Sequence, residues 1–398
     1  MSATELSSNY WSELSHSVID TTVGDYQFVE DLGHGSYGGL FLGQHTKTKD
    51  YVAIKVLSKS GLTDEQRQLQ QVEIDVQTEL DHPSLLALHT VMQDTDYIYM
   101  VMDLCDQGDL FDYVINTTSR SSAQVKSFFT QILQGIEQMH AQGIYHRDIK
   151  LENILLKTNS ADDDLLDCKV ADFGLATRDR LSMEFGCGSA TYLAPEHFGD
   201  EDSVGTEEVM PYDAAASDVW SLGILLLALM FGRNPWQEAN TADRAFAEYK
   251  RHPGMIHRHL FPELSKHVVA FLQQSVLTVD PAQRVSVSEM LKQFQALPAL
   301  YADEEDEVDS LGPLTPVDIP IMPEEQKKDE PRYDSAFFSM TGHTGMSWSD
   351  MVEEDEYLAQ DYNKDDTITP QLSADAPHHD DDDDTMFVHN NEKESWWL

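Results

Sequence analysis

The sequence predicts an α+β protein of two lobes, a strand-rich small lobe followed by a helix-rich large one, with a cleft between them. Three observations carry that expectation. Residues 26–102 are dominated by short β-branched and aromatic runs with one helical interruption. From Gly108 onward the apolar spacing becomes helical, and beyond Pro298 periodicity gives way to acidic, proline-punctuated sequence. A sheet with an apolar face and helices with apolar stripes must each bury them, and their segregation along the chain favours two packed units facing a groove.

Taken in order, residues 1–23 are polar and rich in Ser and Thr, which suits a flexible arm. Residues 26–32 and 40–43 flank the cluster Gly33-His34-Gly35-Ser36-Tyr37-Gly38 as the strands of a hairpin would. Residues 51–57 (Tyr-Val-Ala-Ile-Lys-Val-Leu) and 97–102 read as further strands. Between them, residues 64–80 have charged and Gln-rich faces suited to an amphipathic helix, stopped by Asp81-His82-Pro83. Helices are expected at 109–114, 122–142, 217–231, 242–251, 266–277 and 287–295. The longest apolar run, 224–231, is too short to span a bilayer and reads as a buried core helix. The resulting organisation is an arm at 1–23, a folded region at 24–298 (small lobe 24–102, large lobe 106–298) and an acidic, disordered tail at 299–398.

Charge narrows the partners. Acidic residues number 71 against 26 basic, a net charge of −45 over 398 residues. Residues 301–398 hold 28 acidic and 5 basic side chains, a net −23, leaving −22 for the remainder. Both parts repel phosphate backbones and anionic lipid, so neither nucleic acid nor membrane is an expected partner, and basic peptides are favoured. Cys105, Cys168 and Cys187 are widely spaced with no Cys-x-x-Cys pair. With an N-terminus lacking a signal pattern, this fits an intracellular location, in cytoplasm, nucleus or both.

The chemistry concentrates in His146-Arg147-Asp148-Ile149-Lys150-Leu151-Glu152-Asn153, followed 24 positions after its aspartate by Asp172-Phe173-Gly174. Two carboxylates, an amide and a lysine in this order suit phosphoryl transfer from a Mg-nucleotide to a hydroxyl. That reaction needs a residue to orient and accept the hydroxyl proton, oxygen ligands for the metal, and cations near the moving phosphoryl group. Asp148 can be the first, Asn153 and Asp172 offer hard oxygen ligands, and Lys150 supplies charge. Upstream, the glycine cluster can bring backbone N–H groups onto phosphates without Cβ clashes, although a plain tight turn has the same signature. Lys55, among Ala53, Ile54 and Val56 on the next strand, needs an anion or a carboxylate partner if it is buried. Glu65, Glu73 and Glu79 are the candidates on the following helix. Glu73, ten residues before Pro83, is the choice, and the other two are then solvated charges.

These segments, together with Ala194-Pro195-Glu196, occur in the order that marks eukaryotic protein kinases, which the chain resembles from about Gly24 to Leu297. Lys150, two residues after the aspartate, is similar to the serine/threonine class. Gly108-Asp109-Leu110-Phe111, Gly186-Cys187-Gly188-Ser189 and Gly232-Arg233-Asn234-Pro235-Trp236 resemble the fungal kinases of nutrient response and repression of sexual differentiation. The resemblance implies the bilobal protein-kinase fold, ATP and Mg2+ as cofactors, and protein Ser/Thr hydroxyls as substrates. It places Leu32, Gly33, His34, Gly35, Ser36, Tyr37, Gly38, Gly39 and Leu40 over the nucleotide. Ala53 and Leu155 would lie around the adenine, Met102 at the gatekeeper position, and Asp103 and Cys105 in the hinge. Lys55, held by Glu73, would bind the α- and β-phosphates, Asp148 would be the base and Lys150 a γ-phosphate contact. Asn153 and Asp172 would be the metal ligands, and Asp109 a ribose or substrate contact. Asp218 would brace the catalytic loop, and Arg284 would pair with Glu196.

Three departures from the family pattern stand out. Gln77 occupies a place, four residues after Glu73, that is usually apolar, which puts the packing of that helix in doubt. Residues 159–164 read as a polar loop insertion. Phe185 stands where a phosphothreonine is usual, so Glu184 or Ser182 must supply any negative charge that Arg147 needs. Ser189 matches the hydroxyl that bonds the base and its lysine. On the substrate side, Asp109 and Glu152 match positions that select an arginine three residues before the phosphoacceptor. A pseudokinase scaffold acting through the acidic tail is the alternative function, with Trp348 or Trp396-Trp397 as the elements that would recruit a partner. His378-His379 before five aspartates reads as solvated charge.

Overall fold

A computed structural model of the chain describes residue 14 and residues 16–34, 38–159, 161–162, 165–198 and 210–304, all within one compact unit. The small lobe is a six-stranded antiparallel sheet in the order β1-β2-β3-β4-β6-β5. Its strands are β1 (Thr22–Val23), β2 (Tyr26–His34), β3 (Gly38–His45), β4 (Tyr51–Ser58), β5 (Leu88–Gln93) and β6 (Tyr97–Asp103). β4 is central and, apart from exposed Tyr51, buried along its length, which is why it reads as a continuous apolar run. Its register sets Ala53 opposite Met102 and Lys55 opposite Met100.

Helix α1 (Asp64–Glu79) begins in a capping box, Thr63 accepting from the Gln66 N–H while the Gln66 side chain accepts from the Thr63 N–H. It stops at Leu80, before the Asp81-His82-Pro83 breaker. The large lobe contains α2 (Leu110–Asn116), α3 (Ser122–Ala141), α4 (Ala214–Phe231), α5 (Arg244–Arg251), α6 (Lys266–Phe271) and α7 (Val287–Gln295). It also carries two hairpin-like pairs, β7 (Ile154–Thr158) with β8 (Leu166–Val170), and β9 (Leu181–Ser182) with β10 (Tyr212–Asp213). The helix expected at 266–277 divides into α6 and a π-helical turn at Leu272–Val276.

Helix α3 buries Val125, Phe129, Ile132, Leu133, Ile136 and Met139 in a stripe of helical spacing. Helix α4 is apolar all round. Among the described residues it is the one helix long and apolar enough to cross a membrane, yet 83% of it is buried inside the large lobe, so it is the core around which the other helices pack.

Two expected boundaries need correction. The arm does not extend to Val23: residues 16–18 are helical, β1 pairs with Tyr26 and Gln27, and Leu14, Val18, Ile19 and Val23 pack on the Phe28–Phe41–Ile54 cluster of the sheet. The folded region does not end at Pro298 either. Leu300 is fully buried, the Tyr301 hydroxyl donates to Arg120 O at 2.9 Å, and Ser122 Oγ donates to Glu304 at 2.5 Å. Apolar anchors just before the acidic run outweigh the change of composition. The remaining tail positions, including Trp348, His378, His379, Trp396 and Trp397, lie outside the described residues.

Candidate active site

Lys55 sits on β4 with its side chain 9% exposed, facing α1. Its Nζ donates to Glu73 Oε1 at 2.6 Å. Burial works against the lysine charge, but Glu73 and Asp172 outweigh it and raise the pKa above the ordinary lysine value. A charged lysine is therefore available beside Asp172. Glu79 instead pairs with Arg178 at 2.7 Å on the surface, which removes it as a partner for Lys55.

The loop that carries Asp148 is held from below. Asp218, fully buried at the N-terminal end of α4, accepts from the backbone N–H groups of His146 (2.9 Å) and Arg147 (2.8 Å) and from His140 Nε2 (2.8 Å). Burial opposes its ionisation, yet the hydrogen bond from His140 and the surrounding charges keep its pKa below the usual carboxylate value. This anchoring has a strained backbone to sustain. Arg147 has φ +67° and Asp172 φ +63°, left-handed conformations that each cost on the order of 1–3 kcal/mol in a non-glycine residue. Charge-assisted bonds to a buried carboxylate, roughly 1.5–3 kcal/mol each, are of the size needed to offset that cost.

Above this base, both oxygens of Asp148 are engaged. Oδ1 accepts from the Ser189 N–H and hydroxyl, each at 3.0 Å. Oδ2 accepts from Asn153 Nδ2 at 3.0 Å and lies 3.0 Å from Lys150 Nζ, which also donates to Ser189 Oγ at 3.0 Å. The carboxylate is thus fixed in rotamer and surrounded by donors, an arrangement that suits accepting a proton from a hydroxyl brought alongside.

Asp172 and Asn153 suit a hard cation. Asn153 donates to the carbonyl and carboxylate of Asp148, which turns its amide oxygen into the group left to face a ligand. Burial, above all, lifts the Asp172 carboxyl above the usual carboxylate range, with Glu73 and Asp148 adding to the effect and Lys55 opposing it. A divalent cation reverses that balance by favouring the ionised form. Among the described residues no group of three or more His, Cys, Asp or Glu side chains suits a metal. One carboxylate plus one amide fits Mg2+, which keeps waters and shares substrate phosphates instead of sitting in an all-protein cage.

Several of the residues that the resemblance places around a nucleotide gather into one apolar cluster. Leu40, Cys105 and Leu155 pack on Leu86, Met102 and Ala171, and buried Ala53 lies opposite Met102 in register. Leu86 and Ala171 were not among the sequence-derived contacts. The Asp103 side chain is committed elsewhere: His89 Nε2 lies at 3.0 Å and Lys157 Nζ at 3.1 Å, and these partners draw its pKa down to about 2. Only its backbone is left to meet a ligand. Gly33 and Gly39 pair across β2 and β3, with Gly33 opposite Leu40 and His34 opposite Gly39, while Gly38 lies opposite Leu57 of β4. Gly35, Ser36 and Tyr37 lie outside the described residues, as does the side chain of His34.

Gln77 resolves differently from the sequence-based doubt. It is buried, and its Nε2 donates to Leu86 O at 3.1 Å and lies 3.4 Å from Met102 Sδ. A polar tether therefore replaces apolar packing, and α1 is held against the sheet one turn after Glu73. Of the 159–164 segment, residues 160, 163 and 164 lie outside the described residues; just after β7, Asn159 N donates to Leu165 O at 3.0 Å.

The segment around Phe185 is tied to Arg147 by a carboxylate. Arg147 Nη1 donates to Glu184 Oε2 at 2.5 Å, with Ser182 Oγ at 3.4 Å. Burial lowers the arginine pKa, but the Glu184 hydrogen bond and the proximity of the Tyr212 hydroxyl outweigh it and raise the value. Phe185 packs on Tyr212 with ring centroids 5.4 Å apart, and His197 lies 4.2 Å from Tyr212. Burial pushes His197 down to about 4, so it is neutral; Nδ1 accepts from Gly186 N, and Nε2–H donates to Ser217 Oγ at 2.8 Å. Phosphatase-treated protein is therefore expected to keep its activity, whereas Glu184→Ala should lower kcat/KM several-fold by leaving the buried Arg147 without its carboxylate. A large loss on dephosphorylation, traced by mass spectrometry to Ser182, would show that the switch lies in that hydroxyl.

Residues missed by the sequence reading are the supports: His140, His89, Lys157, Leu86 and Tyr212. Each contacts a motif residue across the fold and none belongs to a spaced motif. Farther down, Arg284 meets Glu196 in a bidentate pair at 2.6 and 2.7 Å, as the resemblance implied.

Comparison with known proteins agrees with this geometry. Residues 26–294 match the protein kinase domain family. The chain is 31% identical over 291 residues to the negative regulator of sexual conjugation and meiosis of Schizosaccharomyces pombe, covering 69% of this chain and 60% of that protein. It is 35% identical over 269 residues to serine/threonine-protein kinase ksp1 of the same yeast, covering 65% of this chain and 54% of that protein. With mouse serine/threonine-protein kinase SIK1 the identity is 30% over 294 residues, covering 73% of this chain and 35% of that protein. The chain thus spans less than two thirds of the length of each of these relatives. With the match running from the first long strand to the last helix of the large lobe, the chain belongs to the protein kinase domain family.

Proposed function

We propose that the protein is a serine/threonine protein kinase that transfers the γ-phosphate of Mg-ATP to protein hydroxyls, with an intracellular location. The observation that carries this reading is the Asp148 carboxylate, locked by Ser189 and Asn153, with Lys150 Nζ 3.0 Å away. In the reaction, the acceptor oxygen bonds to the γ-phosphorus as the bond to the β–γ bridging oxygen breaks, and the hydroxyl proton passes to Asp148. Lys55 steadies the α- and β-phosphates, and Lys150 meets charge on the transferring group. Mg2+ at Asn153 and Asp172 would neutralise phosphate charge. The presence of Lys55 bonded to Glu73, of Asn153 bonded to Asp148, and of Asp172 within electrostatic reach of Lys55, Glu73 and Asp148 weighs against a scaffold that lacks catalysis. Any recruitment of a partner through the tail tryptophans would come in addition to this activity.

Substrates preferring arginine three residues before the phosphoacceptor follow from Asp109 and Glu152. Asp109 caps α2 by accepting from Asp112 N at 2.8 Å, and burial, with Asp112 and Glu152 close by, pushes its carboxyl up to about 7. A group titrating near 7 is about one-tenth ionised at pH 6 and nine-tenths at pH 8. Since a guanidinium binds the ionised form, the arginine preference should strengthen as pH rises. We expect the kcat/KM ratio of Arg-x-x-Ser to Ala-x-x-Ser peptides to grow about three- to tenfold from pH 6 to pH 8, Glu152 supplying the remainder at low pH. A ratio near one at both pH values would remove Asp109 from substrate recognition; absence of any phosphorylation would remove the kinase reading itself.

A further inference from the structure

We propose that an acidic segment of a protein substrate docks on a basic knob of the large lobe formed by Arg233, Arg251, His252, Arg258 and His259; this rests on the kinase reading. In a chain with 71 acidic and 26 basic residues, the stretch 244–267 holds five Lys/Arg and four His against two acids, Glu248 and Glu263. The fold gathers these charges. Helix α5 ends at Arg251, the chain turns back with Met255 N on His252 O at 2.9 Å, and Arg258 N bonds Gly254 O at 3.3 Å as the π turn Ile256–Leu260 begins. Arg233 joins from the end of α4 by donating to Leu260 O, its guanidinium 4.7 Å from the centre of the Phe261 ring.

All five side chains are exposed. Among the described residues Arg233, Arg251 and Arg258 make no ion pair, whereas the exposed arginines Arg67, Arg178 and Arg180 each pair with a carboxylate. Acids are abundant elsewhere in the chain, so three uncompensated arginines, from the ends of two helices and the π turn, form a local positive field in a negative surround. That contrast selects the partner. A long polyanion such as nucleic acid meets the net −22 of residues 1–300 beyond the knob. A short acidic peptide stretch senses only charges within about one Debye length, roughly 8 Å, and therefore only the knob. Substrate recognition would then be bipartite, with arginine at Asp109 and Glu152 and an acidic stretch here.

The test uses the full chain and two peptide series: a short Arg-x-x-Ser peptide, and the same peptide joined to six glutamates through Gly/Ser linkers of several lengths. Tethering should lower KM at least about fivefold at the best linker length, an advantage lost near 0.5 M salt. In the Arg233→Glu/Arg251→Glu/Arg258→Glu variant the advantage should vanish, while kcat and KM for the short peptide stay unchanged. Direct binding of labelled hexaglutamate, weakened at least about tenfold in the variant, reads the knob without turnover. If hexaglutamate binds but neither peptide is phosphorylated, the kinase reading fails and the knob as an acidic-peptide site stands. Three outcomes overturn the docking proposal: equal KM for short and extended peptides at every linker length, displacement by a single-stranded oligonucleotide as effective as that by polyglutamate, or faster short-peptide turnover in the triple variant, which would assign the knob to an acidic stretch of the same chain.

Discussion

Asp148→Asn is expected to lower kcat by about 10²–10⁴-fold while leaving nucleotide affinity within a few-fold of the wild-type value. The size of the effect has two physical sources. The amide cannot accept the hydroxyl proton, and the site cannot accommodate an amide without loss. Both Asp148 oxygens accept hydrogen bonds, Oδ1 from Ser189 and Oδ2 from Asn153 and Lys150. Whichever way the new amide turns, its NH2 group faces a donor. The Lys55–Glu73 pair does not involve Asp148, so phosphate contacts survive. Asp172→Ala should behave in the opposite way, weakening Mg-dependent nucleotide binding itself. Single-turnover rates together with fluorescent-nucleotide titrations separate the two cases. Near-normal peptide phosphorylation by Asp148→Asn would rule out Asp148 as the base, and undiminished Mg-nucleotide binding by Asp172→Ala would remove Asp172 from the metal site.

The residues concerned were legible because the chemistry fixes their types and order. A base, an amide and a second carboxylate on one loop system leave few substitutes, so Asp148, Asn153 and Asp172 stand out. Strands with a buried stretch of branched residues, such as β4, were legible for the same reason. β5 was not: Leu88-His89-Thr90-Val91-Met92-Gln93 is only half apolar, and its identity depends on pairing with β6. Supports across the fold were invisible for a related reason. His140 reaches Asp218 over 78 positions and Gln77 satisfies a carbonyl nine residues on, so nothing local marks either one. Gln77 looked like a packing fault because the usual apolar residue was missing; its carbonyl partner appears only once Leu86 is placed. The end of the folded region was misread because the acidic composition begins where Leu300 and Tyr301 still anchor the chain.

Arg284→Met should destabilise the protein by about 3–5 kcal/mol, the cost of leaving a largely buried carboxylate without its partner. The Arg284 side chain is fully buried and that of Glu196 is 14% exposed, and they meet through two bonds at 2.6 and 2.7 Å. The guanidinium also donates to Thr278 O and Ala216 O, each at 3.0 Å, and lies 5.0 Å from the centre of the Trp220 ring. One side chain thus ties the end of the activation segment to α4 and to the loop before α7. For a domain of this size each kcal/mol corresponds to roughly 2–4 °C, so Tm should fall by at least about 6 °C. Combining Arg284→Met with Glu196→Leu should recover part of the loss, because a hydrophobic pair no longer strands a charge, although the carbonyls of Thr278 and Ala216 still lose the guanidinium as a donor. Glu196 follows directly on the segment that carries Ser189, so peptide turnover at a temperature where the variant stays folded should drop as the Ser189–Asp148 contact loosens. A single variant melting within about 2 °C of the wild type would show the pair to be energetically idle. A double variant less stable than Arg284→Met would show that the backbone contacts of the guanidinium, and not its pairing with Glu196, hold this end of the large lobe.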